Sequence, residues 1–487
     1  MSCDAALAFD LGASSGKLLL GRLENGRAYF TQIHRFAHEI LSVQGRLYWD
    51  FFGIVREFEA GYARAQQETG SRVATLAVDS FCNDYALLSA RGAMLESPRC
   101  YRDARTAGWV RRAERLMAKA EVYRRTGQQF ARFETCYHLL AAYEQEPEMM
   151  EAARELVFLP DYLAHLFGAR KYSEYTVASV SNLYNIRREE WDGDILSAYG
   201  IRPSLLLPVV KPGTLVGAVS GELCARLRTA PANIYAVGSH DTACAVAAAP
   251  VAETGPFLFI SSGTWSLVGA ELDEPILSER SLREGFGNEG GIGGKIRYIR
   301  NVMGLWIIQE CVRCWRLAGR EYSFEELARG AWELPFIDAY IDPDQERFFE
   351  PKDMPSEVAG ACGGKGRADL ELIRIVMQSL ACKYRYVIEK LEKLTERRYG
   401  RIYLLGGGSQ NSFLNQLTAD ITGKSVLAGP ADAAGVGNIL TQWIGAGVVR
   451  DLPAAREICR RSCDVREFAP SGDEQEHYRS FLRQCGL

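Results

Sequence analysis

One short plan occurs twice in this chain, and the repetition restricts its possible folds more than any other feature. Residues 7–21 read "LAFDLGASSGKLLLG" and residues 257–272 read "FLFISSGTWSLVGAEL". Each is an apolar β-type run, a Ser/Gly turn and a second apolar run. The first copy continues through an Asn25-Gly26 turn into a third run ending at Phe30, which predicts an antiparallel meander. The echo implies two halves built on one β-meander plan. The division is expected around residues 246–256, giving domains 1–245 and 246–487, with the final helix free to pack back on the first domain.

The segments between the two copies carry both periods. Phe51, Val55, Phe58 and Tyr62 recur at three- and four-residue spacing and predict an amphipathic helix. "VATLAVDSFCNDYALLS" predicts a second strand pair, and helical segments fill roughly 104–166. "NIYAVGSHDTACAVAAAP" reads as a strand ending at Gly238 and a helix starting near Asp241. The second half holds a glycine-rich loop, "GFGNEGGIGG", and a flexible insertion near "AGACGGKGRAD". A long helix follows, with Leu372, Ile375, Val376, Leu380, Tyr384, Val387, Leu391 and Leu394 on one stripe. "RIYLLGGGSQNSFLNQLTAD" is strand, glycine turn and helix, and "SVLAGPADAAGVGNILTQWIGAG" completes the pattern.

Composition excludes several classes. With 47% apolar and 24% charged residues and no uninterrupted apolar run long enough for a bilayer, the chain is expected to be a globular enzyme without a membrane span. "MSCDAALAFD" has neither the basic region nor the apolar stretch of a signal peptide, so a cytoplasmic location is expected. There the 13 scattered cysteines are expected to be reduced thiols. Cys311 and Cys314 form a lone C-x-x-C in a helix-like segment, and no second metal pair follows at ligand spacing. A net charge of −4 gives no footprint for nucleic acid, so the expected partners are small molecules.

Four places offer chemistry. In the opening turn, Gly12 and Gly16 allow backbone approach to an anion, while Ser14, Ser15 and Lys17 supply donors and a positive charge. It is not a P-loop: the glycine spacing is one residue short, and Lys17 precedes Leu18. A plain polar hairpin fits the same residues. Asp10 closes the preceding strand and could hold magnesium through water, because this hard cation prefers oxygen ligands and keeps much of its hydration. The turn Ser261–Thr264 repeats this chemistry, and the two turns could face each other across a cleft. Asp241 in "GSHDT" stands at a strand-to-helix junction, where Asp serves either as a cap or as the base for a substrate hydroxyl during phosphoryl transfer. "LLGGGSQN" has Gly406 and Gly408 as G-x-G but lacks the third glycine and the later acidic residue of a dinucleotide site. His34 and His38 are four apart without the glutamate of a zinc hydrolase. "SHD" is not a triad, since a triad is assembled in space from separated residues.

"DLGASSGK", "IHRF", "YRDARTAG", "LPDYLAHLFG", "SHDTACAV", "SSGTWSLVG", "NEGG", "MGLWIIQE", "GGGSQNSFLNQLTAD" and "AGVGNI" follow one another in this order. In that order they resemble the FGGY carbohydrate kinases of the actin- and hexokinase-like superfamily, and within it the branch acting on L-rhamnulose. The likeness runs along nearly the whole chain. It implies an α/β fold of two ribonuclease-H-like domains around a central cleft, with the first mainly sugar-binding and the second mainly ATP-binding. It also implies magnesium-dependent transfer of the γ-phosphate of ATP to the 1-hydroxyl of a ketose, by a monomer or homodimer. L-rhamnulose is the foremost acceptor and L-fuculose or another ketose the alternative. A non-catalytic sugar- or nucleotide-binding protein of the same fold is a further one.

Carried over by position, the resemblance places Ala13, Ser14, Ser15, Gly16 and Lys17 on the nucleotide phosphates, and Thr264, Gln309 and Gly407 in the ATP site. His240, Asp241, Thr242 and Asn301 match sugar-contacting positions, with Asp241 as proton acceptor. Two departures stand out. Lys17 replaces an arginine and lacks its planar fork. The family's sugar-side turn "D-T-W-G-V-D" reads here Asp79-Ser80-Phe81-Cys82-Asn83-Asp84. Cys82 and Asn83 thus enter the expected sugar wall and can change which ketose fits, since each hydroxyl or methyl contact is worth about 1–3 kcal/mol.

Overall fold

A computed structural model describes residues 5–70, 72–253, 255–364, 366–472 and 474–487. The chain forms two compact units. The first comprises Met1–Ala252, Leu272–Tyr298 and Ala433–Ser462, and the second comprises Glu253–Glu271, Ile299–Asp432 and Cys463–Leu487. Neither is one continuous stretch, because the chain leaves the first unit at Ala252 and returns to it twice.

The first unit is organised on a six-stranded sheet. Its order is Leu215–Ala218, Asn233–Tyr235, Val73–Ser80, Ala5–Leu11, Ser15–Glu24 and Arg27–Ala37. The meander forms as the turn residues predict, with Ala5–Leu11 antiparallel to Ser15–Glu24 and that strand antiparallel to Arg27–Ala37. Val73–Ser80 joins the other side of Ala5–Leu11 in parallel and sets Asp79 directly beside Asp10. All seven residues of Ala5–Leu11 are buried, as expected of a central strand covered on both faces.

Helix Phe51–Thr69 is capped by Asp50, which accepts from the Gly53 amide at 3.2 Å, and stops at Gly70 with φ of +63°. Its inward stripe is Phe51, Ile54, Phe58, Tyr62 and Ala65, while Val55 packs at the margin. Phe58 meets Phe9 with ring centroids 4.7 Å apart. Helices Asp241–Ala247 and Ala433–Gly445 cross so closely that a Cβ on Gly437 would stand 1.7 Å from the Cys244 carbonyl oxygen.

One strand prediction needs correction. Tyr85–Leu88 does not pair with Val73–Ser80; it pairs antiparallel with Glu155–Phe158 in a separate two-stranded sheet. Asn83, with φ of +80°, turns the chain out of the main sheet between them. Asparagine tolerates this left-handed backbone better than most residues.

The second unit repeats the plan. A second, seven-stranded sheet runs in the order Gly287–Gly290, Ile296–Met303, Trp265–Leu272, Phe257–Ser262, Arg401–Leu405, Ser425–Ala428 and Arg466–Phe468. Phe257–Ser262 is antiparallel to Trp265–Leu272 and parallel to Arg401–Leu405, matching the roles of Ala5–Leu11 and its neighbours. The long helix is Asp369–Thr395, and its predicted stripe is buried from Leu372 to Leu391, with Leu394 half-buried. Cys311 and Cys314 lie on helix Trp306–Leu317, the first buried and the second half-buried. In the glycine-rich insertion, Lys365 lies outside the described residues. Helix Gln475–Cys485 packs within this unit, Tyr478 donating its hydroxyl to Glu389 at 3.0 Å. Among the described residues no helix is long and apolar enough to cross a membrane.

Candidate active site

The opening turn closes when the Gly12 amide donates to the Ser15 carbonyl at 3.0 Å, and the His38 ring nitrogen Nε2 bonds the Gly12 carbonyl at 2.8 Å. Ser14 is exposed, and Ala13 and Ser15 are half-buried. A Cβ on Gly16 would stand 2.3 Å from the Phe36 ring, so the missing side chain lets Phe36 cover the strand. Lys17 stands opposite Asp10 in the strand register, with its ammonium 3.2 Å from Asp10 Oδ2. Its charge is thus partly balanced within the protein.

Asp10 and Asp79 lie side by side on parallel strands, both buried. Asn438 donates to Asp79 Oδ2 at 2.6 Å, and Gln442 donates in turn to Asn438 Oδ1 at 2.7 Å. Asp79 Oδ1 is buried without a partner among the described residues. Burial first, and then the neighbouring Asp10 charge, pushes the Asp79 carboxyl well above the usual range; Asp241 adds to this, while Asn438 and Lys17 oppose it. Asp10, Lys17, Asp79 and Asp241 therefore form one electrostatic cluster inside the first unit.

Asp241 is the first residue of its helix, and Thr242 donates its hydroxyl to Asp241 Oδ1 at 3.2 Å. Burial raises the Asp241 carboxyl, His240 pulls it down and Asp10 pushes it up again. With 30% of its side chain still exposed, it remains open to solvent and only partly desolvated. Its neighbours are fixed from beneath. The Ser239 amide donates to Glu174 Oε2 at 3.1 Å, the Ser239 hydroxyl to Asp161 Oδ1 at 2.9 Å, and the His240 amide to the Thr176 hydroxyl at 3.1 Å. Burial pushes Glu174 up to about 7, and burial followed by Glu174 lifts Asp161 well above its usual range. This pair of buried carboxyls holds the chain where the helix begins.

The His240 ring meets a buried ion pair. Arg297, fully buried, places Nη1 2.8 Å from Glu289 Oε2 and Nη2 3.1 Å from His240 Nδ1. Burial pushes Glu289 up, but Arg297 and then His240 hold it below the usual carboxylate range. On the Asp79–Asp84 turn, Asn83 is buried and its amide donates to Cys82 Sγ at 3.2 Å, while its carbonyl accepts the Thr135 hydroxyl at 2.9 Å. The Cys82 side remains half open. Burial lifts the thiol well up, helped by the charges of Glu289, Glu134 and Asp241. Phe81 fills the expected tryptophan position and packs against Trp49, the rings tilted by 32° with centroids 4.5 Å apart.

In the second unit, Thr264 and Gln309 come together, with Thr264 Oγ1 3.4 Å from Gln309 Oε1. The amides of Gly304 and Trp306 both reach the Thr264 carbonyl at 3.2 Å. A Cβ on Gly408 would stand 2.1 Å from Ser262 Oγ, so the glycine run packs directly against the Ser261–Thr264 turn. Gly407 has open space where a side chain would be. Asn301 lies half-buried on strand Ile296–Met303.

The structure adds residues that the sequence reading did not assign. Asp161, Glu289 and Asn438 lie inside the fragments "LPDYLAHLFG", "NEGG" and "AGVGNI", so motif order could have flagged them. Glu134, Glu174 and Arg297 carried no such signal.

Both sheets share one core arrangement, an antiparallel meander whose first strand takes a parallel partner on its other side, and this is the two-domain actin- and hexokinase-like α/β fold. The N-terminal domain model of the FGGY family of carbohydrate kinases matches residues 5–247, and the C-terminal domain model matches residues 258–446. The rhamnulokinase of Bacillus subtilis (strain 168) is 33% identical over 467 residues, covering 95% of each chain. That of Klebsiella pneumoniae (strain 342) is 34% identical over 481 residues, 98% of this chain and 96% of the other. Among solved structures, a ligand-bound xylulose kinase from Lactobacillus acidophilus superposes with a TM-score of 0.80 at 14% identity, over 99% of this chain and 96% of that one. Plasmodium falciparum glycerol kinase with ADP gives 0.78 at 13% identity, over 99% and 97%. The chain belongs to the FGGY family of carbohydrate kinases.

Proposed function

We propose that this kinase transfers the γ-phosphate of ATP to the 1-hydroxyl of a ketose, L-rhamnulose foremost. The observation that carries the reading is the cluster in the first unit, where the partly open Asp241 shares its surroundings with the Asp10–Lys17 pair. The Asp241 carboxylate accepts the O1 proton as O1 forms its bond to the γ-phosphorus and the bond to the ADP oxygen breaks. Phosphoryl transfer has a loose transition state, so position matters more than basicity, and an aspartate carboxylate suffices. His240, Thr242, Asn301, Cys82 and Asn83 take the sugar. Residues 13–17 hold the phosphates, with Lys17 as the point charge, and Thr264, Gln309 and Gly407 hold the nucleotide. On this reading residues 1–245 bind mainly sugar, residues 246–487 bind mainly ATP, and the enzyme works in the cytoplasm as a monomer or homodimer.

The family implies magnesium, and the oxygen donors fit it. Asp10 is a buried carboxylate, and the unpartnered Asp79 Oδ1 lies on the neighbouring strand. Among the described residues no group of three or more His, Cys, Asp or Glu side chains could hold a metal. Magnesium does not need such a cage, since it is usually held by one or two carboxylates with waters and phosphate oxygens. Asp10 would hold it through water, and the ion would supply charge neutralisation at the phosphates.

L-fuculose is the second reading, favoured by Cys82, which is half open where the family has glycine. Magnesium-ATP with a panel of ketoses decides. ADP release dependent on L-rhamnulose, with kcat/KM at least tenfold above the other sugars, is expected. Absence of sugar-dependent release across the whole panel would defeat the proposal.

A further inference from the structure

Glu134 is the least explained polar side chain near the Cys82 turn. It is only 5% exposed, and its Oε2 is buried without a hydrogen-bond partner among the described residues. A buried polar group left unpaired costs about 1–3 kcal/mol, so its presence calls for a cause. Local structure does not supply one. Glu134 precedes helix Thr135–Gln145 at the capping position, yet its side chain accepts no backbone amide there. An Asp, Ser, Thr or Asn would have done that task.

The position itself is held firmly. Thr135 donates its hydroxyl to the Asn83 carbonyl at 2.9 Å and lies 3.4 Å from Asn83 Oδ1, which ties the helix start to the Cys82–Asn83 turn. The half-open Cys82 thiol feels Glu289, Glu134 and Asp241, so the free carboxyl and the proposed base reach the same neighbourhood. Burial lifts Glu134 well above the usual carboxyl range, and the charge of Glu289 pushes the same way. A neutral carboxyl there offers both an O–H donor and a carbonyl acceptor, a pair that matches a sugar hydroxyl.

We infer that Glu134 is a further substrate-binding residue, its carboxyl hydrogen-bonding a hydroxyl of the ketose beside Cys82 and helping to select which ketose is accepted. The inference rests on the kinase reading above and deepens it. Because the group acts as a neutral acid, glutamine, which also presents a donor and an acceptor, replaces it, whereas leucine fills the space without either.

The test compares wild type, Glu134→Gln, Glu134→Leu and Glu134→Asp. It measures dissociation constants for L-rhamnulose and L-fuculose by titration calorimetry, and KM for each ketose and for ATP. Glu134→Leu is expected to weaken ketose binding and raise ketose KM at least tenfold, with ATP KM unchanged and the preference among ketoses flattened. Glu134→Gln stays within about threefold of wild type. Glu134→Asp, which withdraws the carboxyl by one methylene, weakens ketose binding even if the leucine variant fails to fold. Folded Glu134→Leu or Glu134→Asp protein that binds both ketoses as wild type does, or loses ATP and ketose affinity equally, overturns the inference. Wild-type protein that binds no ketose overturns the kinase reading and this inference with it, whereas wild-type binding with unaffected variants overturns this inference alone.

Discussion

Asn438 donates its side-chain amide to Asp79 Oδ2 at 2.6 Å, joining helix Ala433–Gly445 to the strand beside Asp10. Asp79 is fully buried, and its other oxygen has no partner among the described residues. Asn438→Ala therefore removes a needed donor from a buried carboxyl, and a loss of about 1–3 kcal/mol is expected. Urea denaturation measures it. An unchanged midpoint with an unchanged slope would show that the amide contributes nothing.

Asp84 governs a pH dependence of stability. Trp49 Nε1 donates to Asp84 Oδ2 at 2.6 Å and the Tyr101 amide at 3.2 Å, yet burial outweighs both and raises the carboxyl from 3.8 to about 8. A group whose folded-state pKa is raised stabilises fully below its unfolded pKa, and that contribution is lost as pH rises through the folded value. Between about pH 4 and 8 the Asp84 contribution thus falls progressively, by up to about 5 kcal/mol at roughly 1.4 kcal/mol per unit. Asp84→Asn keeps an acceptor for Trp49 and Tyr101 but has no proton to lose. The difference in unfolding free energy between variant and wild type should grow in favour of the variant from pH 5 to pH 8. A difference independent of pH in that window refutes the assignment.

Asp241→Asn keeps the shape of the side chain and removes its basicity. Turnover is expected to fall by about 10²–10⁴, the usual contribution of a positioned base, while the ketose dissociation constant and ATP KM stay near wild type. Burial and the Asp10 charge together outweigh His240 and raise the wild-type carboxyl, so the acid limb of kcat should lie above 3.8. Turnover retained by the asparagine variant, measured by ADP release, would assign the proton to another group.

The parts of the fold that were legible in the sequence are those with local causes. The Ser/Gly turns between apolar runs announced both meanders, and the three- and four-residue spacing announced helix Phe51–Thr69. The partner of Tyr85–Leu88 was not legible, because pairing with Glu155–Phe158 depends on Asn83 turning the chain away. The same division runs through the site. His240, Asp241 and Thr242 stand in one short motif, whereas Arg297 reaches His240 from 57 residues away and Glu174 holds Ser239 from 65. Gly16 shows a third case: the glycine was conspicuous, but its cause, the Phe36 ring against it, lies on another strand. Residues that act through distant packing leave no spacing to read.

Gly437 links that packing to the proposed chemistry. An added Cβ would lie 1.7 Å from the Cys244 carbonyl oxygen and 2.5 Å from its carbon, both backbone atoms, so no rotamer change relieves the clash. Helices Asp241–Ala247 and Ala433–Gly445 would have to separate, carrying Asp241 on one side and Asn438 on the other out of place. Gly437→Ala is therefore expected to cost about 1–3 kcal/mol of stability. It should also lower kcat by about tenfold or more, since a displacement near 1 Å can cost about 10² in rate. Gly435→Ala is the milder comparison on the same helix, because its Cβ would meet Leu19 Cδ2 at 3.1 Å and Leu19 Cβ at 3.3 Å, a crowding that a shift of a few tenths of an ångström relieves. Gly435→Ala should stay within about threefold of wild type in kcat. If the two alanine variants matched each other in both unfolding midpoint and kcat, the close helix crossing could not be what holds Asp241 in position.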